Sequence, residues 1–324
     1  MTIDLTDPIF HDDDKAREYF EAQRWPNGPF CPHCGAVDGI TRLGGSCHRA
    51  GLHQCNACRG HFTVTNGSVM ERSHIPLSKW ALGFHLMAAS KKGVSAHQLH
   101  RSLHVTYRSA WFMAMRIREA MRPVDPTPMG GEGKVIEADE AYKGRKKVAT
   151  PSPSRKGRPY INKGKHAEKR PIFALVERGG EARAFSMPVV TAKNIREKLV
   201  ENAHRQSRLN TDESNLYPRV GEEFAAHETV NHGAKEYSRG RGAEQVTTNS
   251  VEGFFGIFTR GLVGVYQHCS EQHLQRYLDE FSFRYSNRIK LGVDDTARAA
   301  LAIKGAEGKR VTYRGPRFSE TTTD

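Results

Sequence analysis

Thr247-Thr248-Asn249-Ser250-Val251-Glu252-Gly253-Phe254-Phe255 decides the reading of this chain. A polar entrance, one acid and a pair of aromatics describe the first turns of a half-buried helix, with Glu252 near its mouth. Two distant stretches also carry acids at the ends of apolar runs: Val135-Ile136-Glu137-Ala138-Asp139-Glu140-Ala141-Tyr142 and Leu209-Asn210-Thr211-Asp212-Glu213. Carboxylates from three such positions, if they meet in space, make a metal-dependent phosphoryl-transfer site.

Each acid also has a structural explanation. Glu252 follows Asn249 by three, so the pair reads as a helix N-cap with its capping-box glutamate. Asp212 could start a helix in the same way. Asp139 is harder to explain, because an aspartate within a strand is disfavoured and is costly if buried without a partner. Two magnesium or manganese ions shared by Asp139, Asp212 and Glu252 would remove that cost, since hard oxygen ligands suit those ions.

The chain has 324 residues, room for about two or three domains. With 37% hydrophobic residues it can bury a substantial core, and its clustered net charge of +13 points to a polyanionic partner. DNA is favoured over a membrane, because no apolar run approaches the roughly 18 residues of a spanning helix. The start, Met1-Thr2-Ile3-Asp4-Leu5-Thr6-Asp7, is acidic and lacks a signal-peptide pattern, so a cytoplasmic, nucleoid-associated protein is expected.

Four of the six cysteines pair as Cys31-Pro32-His33-Cys34 and Cys55-Asn56-Ala57-Cys58. Two thiolate pairs at this spacing supply a closed tetrahedral zinc site, a structural one without an open position. The alternatives are buried or redox thiols, and Cys47, His48 and His53 could substitute as ligands. Cys47 is expected as a free thiol, and His61 to Thr65 as a closing strand.

From Leu77 the period becomes helical through Trp80, Ala81, Phe84 and Met87, with Gly93 as the stop. A helix with Leu99 and Leu103, a turn at His104-Val105 and a helix with Ala110, Trp111, Ala114 and Ile117 have helix-turn-helix spacing. Arg108, Arg116 and Arg118 are expected on the polar side of the last helix, facing DNA. A plain helical bundle with a solvated basic face fits the same pattern.

Pro123 to Gly133 reads as a linker. Strands are expected from Val135, at Pro171–Val176 and over Ala182–Val190, then a helix over Ala192–Arg205 and a strand ending at Asp212. A helix is expected around Val220–Ala226 and a strongly amphipathic one through Leu274, Tyr277, Leu278, Phe281 and Tyr285. The insertion from Lys143 to Arg170 holds eleven Lys or Arg, including Lys146, Lys147, Arg155, Lys156 and Arg158, and suits phosphate contacts better than a bare solvated loop.

Taken in order, Cys31-Pro32-His33-Cys34-Gly35, the helix-turn-helix segment, Ile136-Glu137-Ala138-Asp139-Glu140, Thr211-Asp212-Glu213, Val230-Asn231-His232 with Glu236-Tyr237, Thr248-Asn249-Ser250-Val251-Glu252-Gly253-Phe254 and His273-Leu274-Gln275-Arg276-Tyr277-Leu278-Asp279-Glu280-Phe281 resemble a DDE-type insertion-sequence transposase of the ISXO type. The resemblance spans roughly Phe10 to Arg288. It implies an α/β architecture: an N-terminal helix and zinc ribbon over 1–72, a helix-turn-helix region over 73–122, a linker over 123–133, an RNase-H-like mixed-sheet catalytic domain over 134–290 and a C-terminal tail over 291–324.

It also implies binding to the element's terminal inverted repeats, then magnesium- or manganese-dependent cleavage and joining by Asp139, Asp212 and Glu252, with Asn249 as a reserve third ligand. Pairing two ends implies a homodimer or a larger synaptic assembly. One departure is Thr259, seven positions after Glu252, where a basic residue often stands; Arg260 beside it is the candidate DNA contact. A DNA-binding regulator that has lost its chemistry, and a general nuclease on the same fold, are the competing readings.

Overall fold

The computed structural model describes residues 4–143 and 169–311. It divides into two compact units: one takes the chain up to Ser90, Val94–Arg122 and the segment from Asp294, the other Lys91–Gly93 and Pro123–Val293.

The first unit opens with helix α1 (Asp13–Arg24), whose N-cap Asp12 accepts hydrogen bonds from Asp14 N and Lys15 N. An antiparallel ribbon follows, β1 (Ile40–Arg42), β2 (His53–Cys55) and β3 (His61–Phe62), in that spatial order. The closing strand is therefore shorter than expected. Helices α2 (Leu77–Ala89), α3 (Ala96–Leu103) and α4 (Tyr107–Met121) come next. Ser95 caps α3 and Thr106 caps α4, and His104 between them adopts the left-handed conformation.

Periodicity gave these helices but misplaced two arginines. Arg118 is buried, at 2% exposure, and Arg116 is half-buried, donating to Glu71 O at 3.1 Å. Neither lies on a polar outer face. Their long apolar stems let them pack inward while the guanidinium finds internal acceptors, a choice that charge patterning cannot reveal.

The second unit holds β4 (Val135–Lys143), β5 (Arg170–Glu177), β6 (Ala182–Ser186), α5 (Ala192–Asn202), β7 (Arg208–Asp212), α6 (Pro218–Gly221), β8 (Ala226–Val230), α7 (Asn249–Gly261) and α8 (Glu271–Ser286). The strand order is β6-β5-β4-β7-β8, antiparallel from β6 to β4 and parallel from β4 to β8. This is a mixed RNase-H-like sheet. Its fifth strand, β8, was not foreseen, and the helix expected at Val220–Ala226 is only the short α6.

Alternation along β4 sorts its side chains. Ile136 and Ala138 enter a core with Phe173, Leu175, Ile195, Leu199 and Tyr217. Glu137 faces the other way and is fully buried. Its carboxylate accepts from Ser250 N at 2.6 Å, Val251 N at 3.3 Å and the Ser250 hydroxyl at 3.1 Å. Arg178 pairs with it through Nη2 at 3.0 Å and donates from Nη1 to Gln245 O at 2.7 Å. Glu137 thus caps α7 from a strand, satisfying N–H groups that a helix start leaves open.

The local capping box expected at Asn249 and Glu252 is accordingly absent. The N-cap is Thr248, without a side-chain cap bond, and α7 starts at Asn249. The chain then returns to the first unit with α9 (Asp295–Lys304), capped by Asp294. Within the segment expected as a tail, Arg298 donates to Ala88 O at 3.0 Å and Lys309 to Ala120 O at 3.1 Å. Among the described residues no helix is long and apolar enough to cross a membrane.

Replacing Glu137 with alanine strands the N–H groups of α7 and leaves Arg178 without its buried partner. The expected loss is about 3 kcal/mol in urea unfolding, with faster hydrogen exchange at the amides of residues 250 and 251. A loss below about 1 kcal/mol would show that the cap is dispensable.

Candidate active site

Asp139 lies on β4, two residues beyond Glu137, and Asp212 ends β7. Because β4 and β7 are parallel neighbours, both acids stand towards the same end of the sheet. The structure brings them together: carboxylate oxygens of Asp139, Glu140 and Asp212 lie within 4.8 Å of one another. Glu252, in the first turn of α7, stands outside this close group, yet its charge reaches Asp139 and helps to raise that residue's pKa.

Glu140 and Tyr217 were missed as site residues. The Tyr217 hydroxyl donates to Glu140 Oε2 at 2.6 Å from within the core, and Asp139 Oδ1 accepts from Glu140 N at 2.7 Å. Glu140's place directly after Asp139 was the available signal; Tyr217 left none in the local pattern. Burial pushes the Asp139 carboxyl up to about 7, with the Asp212, Glu140 and Glu252 charges adding to it. Burial also raises Glu140, against the opposing Tyr217 hydrogen bond.

Among the described residues no lysine or arginine pairs with Asp139, Glu140 or Asp212. Crowded, half-buried carboxylates of this kind fit a hard divalent cation. Glu252 Oε1 accepts the Thr248 hydroxyl at 2.7 Å. Asn249 is exposed at the first position of the helix. Thr259 donates back to Phe255 O at 2.7 Å, and Arg260 beside it is exposed.

In the ribbon, the sulfurs of Cys31, Cys34, Cys55 and Cys58 all lie within 4.8 Å of one another. Cys31 and Cys58 are 3.6 Å apart and Cys34 and Cys55 are 3.7 Å apart, far beyond a disulfide bond. A tetrahedron with zinc–sulfur bonds of about 2.3 Å has edges of about 3.8 Å, so the cage has the size of a zinc site. His53 is no ligand: it is buried beside Trp25 and Phe62, with Nδ1 3.1 Å from Gly51 O. Cys47 is free and exposed.

Of the remaining candidates for DNA contact, Arg108 is exposed at the start of α4. Lys146, Lys147, Arg155, Lys156 and Arg158 lie outside the described residues. Their insertion leaves the sheet at Lys143 and rejoins it at Arg170, paired residues just beyond Asp139 on β4 and its neighbour.

Residues 11–61 match the transposase zinc-ribbon domain, and residues 130–286 match the ISXO2-like transposase domain. An uncharacterized protein in transposable element ISH50 of Halobacterium salinarum is 31% identical over 269 residues, covering 81% of this chain and 86% of that protein. The chain belongs to the ISXO2-like transposase family. Two solved structures, the Mos1 strand transfer complex and a pre-cleavage Mos1 transpososome, align over 65% of this chain and 77% and 74% of theirs. Each has 11% identity and a TM-score of 0.20, too distant a likeness to bear on chemistry.

Two measurements probe these centres. The folded Asp139 carboxyl keeps its proton up to about pH 7, whereas the unfolded one loses it near 3.8. Its raised pKa therefore removes stability as pH climbs from about 4 to 7. Without divalent cations, Asp139→Asn should melt roughly 5 °C above the wild type at pH 8 and close to it at pH 4; an equal gap at both would contradict the assignment. For the ribbon, the purified protein should carry one zinc per chain. Cys31→Ser or Cys58→Ser should release it and unfold the ribbon, while Cys47→Ser leaves zinc content unchanged.

Proposed function

We propose that this protein binds the terminal inverted repeats of its own insertion sequence and catalyses metal-dependent DNA strand cleavage and strand transfer. The observation that carries the reading is the convergence of Asp139 and Asp212, distant in sequence, at one end of the sheet of an ISXO2-like domain, with Glu252's charge felt there. Their oxygens suit Mg²⁺ or Mn²⁺. The chemistry a bound cation supplies is activation of a water or 3′-hydroxyl and stabilisation of the leaving oxygen.

Asp139 and Asp212 hold the shared position on rigid strands, and Glu252 supplies the third carboxylate from α7. Asn249 stays in reserve, because it occupies the same helix entrance. Zinc in the four-cysteine cage stiffens the ribbon. The helices α3 and α4, read as a helix-turn-helix, present Arg108 to DNA; the inward Arg116 and Arg118 support the helices instead. The basic insertion between Lys143 and Arg170 supplies cations that neutralise DNA phosphates. Arg260 is a further phosphate contact. Joining two element ends calls for a homodimer or larger assembly.

Incubated with a duplex carrying the element's end and Mg²⁺, the wild type should nick and join DNA. Asp139→Asn and Glu252→Gln should each lower the rate by at least about a hundredfold, while DNA binding without metal persists. Binding without any wild-type cleavage would favour the DNA-binding regulator. Degradation of unrelated DNA without joining would favour a nuclease.

A further inference from the structure

Val230-Asn231-His232 stands between two of the acids in sequence and takes no part in the account so far. Asn231 accepts a hydrogen bond from Ala234 N at 2.8 Å and caps a short 3-10 turn over His232–Ala234. Glu213, the residue after Asp212, grips the same turn: its carboxylate accepts from His232 N at 2.9 Å and Gly233 N at 3.0 Å. The turn presents the His232 ring to the start of α7. Its Nε2 lies 3.3 Å from Thr248 Oγ1 and 3.5 Å from Glu252 Oε1.

Hydrogen counting gives this chain of groups a direction. A threonine hydroxyl has one hydrogen, and Thr248 donates it to Glu252 Oε1 at 2.7 Å. The Thr248 oxygen must then accept from His232, so the ring carries its hydrogen on Nε2. Tyr237 supports the ring edge-on, with centroids 5.4 Å apart. Glu252 Oε1 is thereby engaged, and Oε2 is left for another partner. An exposed glutamate on a helix has three rotatable bonds, so a fixed direction has to be imposed from outside.

We infer that His232 is a positioning residue for Glu252, acting through Thr248, and that Glu213 positions His232. The relay ties the end of β7, where Asp212 sits, to the helix that carries Glu252. It rests on the metal-site reading given under Proposed function. Groups at one remove from a metal hold its ligands in the right orientation, and their loss typically costs about 10- to 100-fold in metal affinity or activity.

The test uses full-length, zinc-loaded protein titrated with Mn²⁺ by electron paramagnetic resonance, beside cleavage kinetics and metal-free DNA binding. His232→Ala should weaken Mn²⁺ binding by about 10- to 100-fold and lower kcat, with KM for DNA and metal-free DNA binding unchanged. His232→Gln, whose amide can donate from near the Nε2 position, should recover most of both losses. Glu213→Gln should weaken Mn²⁺ binding in the same direction, by less. Should His232→Ala fail to fold, Thr248→Val removes the middle link while keeping the buried shape, and should show the same loss. Mn²⁺ affinity unchanged in the folded alanine or valine variant, or a glutamine variant no better than alanine, overturns the inference alone. Wild-type protein that binds no Mn²⁺ overturns the metal-site reading and this inference with it.

Discussion

The second unit depends on one buried carboxylate. Glu137 has no access to water, so its charge must be met inside the protein, and it is met by the first turn of α7 and by Arg178. This bond fixes the helix to the central strand. Glu252 follows the capped residues Ser250 and Val251, and Asp139 follows Glu137 by two on the same face of β4. Arg178 extends the clamp to Gln245 and Thr247, and Asn210 of β7 adds a bond to Thr247 O at 3.3 Å. The loop entering α7 is therefore pinned to two strands of the sheet.

Two acids on one strand show opposite electrostatic states. Glu137 is surrounded by donors. Asp139, two residues on, meets burial and other carboxylates, and its carboxyl is pushed up to about 7. Among the described residues, Glu137 is fully compensated by donors while Asp139 has no lysine or arginine paired with it, so the two acids on β4 have different surroundings. The four cysteines offer soft ligands: a cage matched in size to zinc, closed by protein alone.

Much of this was legible in the sequence because burial enforces periodicity. The strand expected from Val135 is β4, and the two Cys-x-x-Cys pairs were specific for the ribbon. What escaped reading has physical causes. Strand β8 lies at the sheet edge with Ala226, His227, Glu228 and Thr229 at least partly exposed, so it carries no apolar signature. The true cap of α7 lies 113 positions away, beyond any local capping rule. Helix α9 did leave a signal, Asp294 before an alanine-rich run closed by Gly305, which the reading of 291–324 as a tail passed over.

The central claim is that Asp139, Asp212 and Glu252 serve one cation-binding position. Anomalous diffraction from crystals soaked in Mn²⁺ tests it most directly. The account predicts a manganese peak about 2.1 Å from oxygens of Asp139 and Asp212, with Glu252 facing the same site. A peak elsewhere on the protein, or none in crystals saturated with the ion, would contradict it.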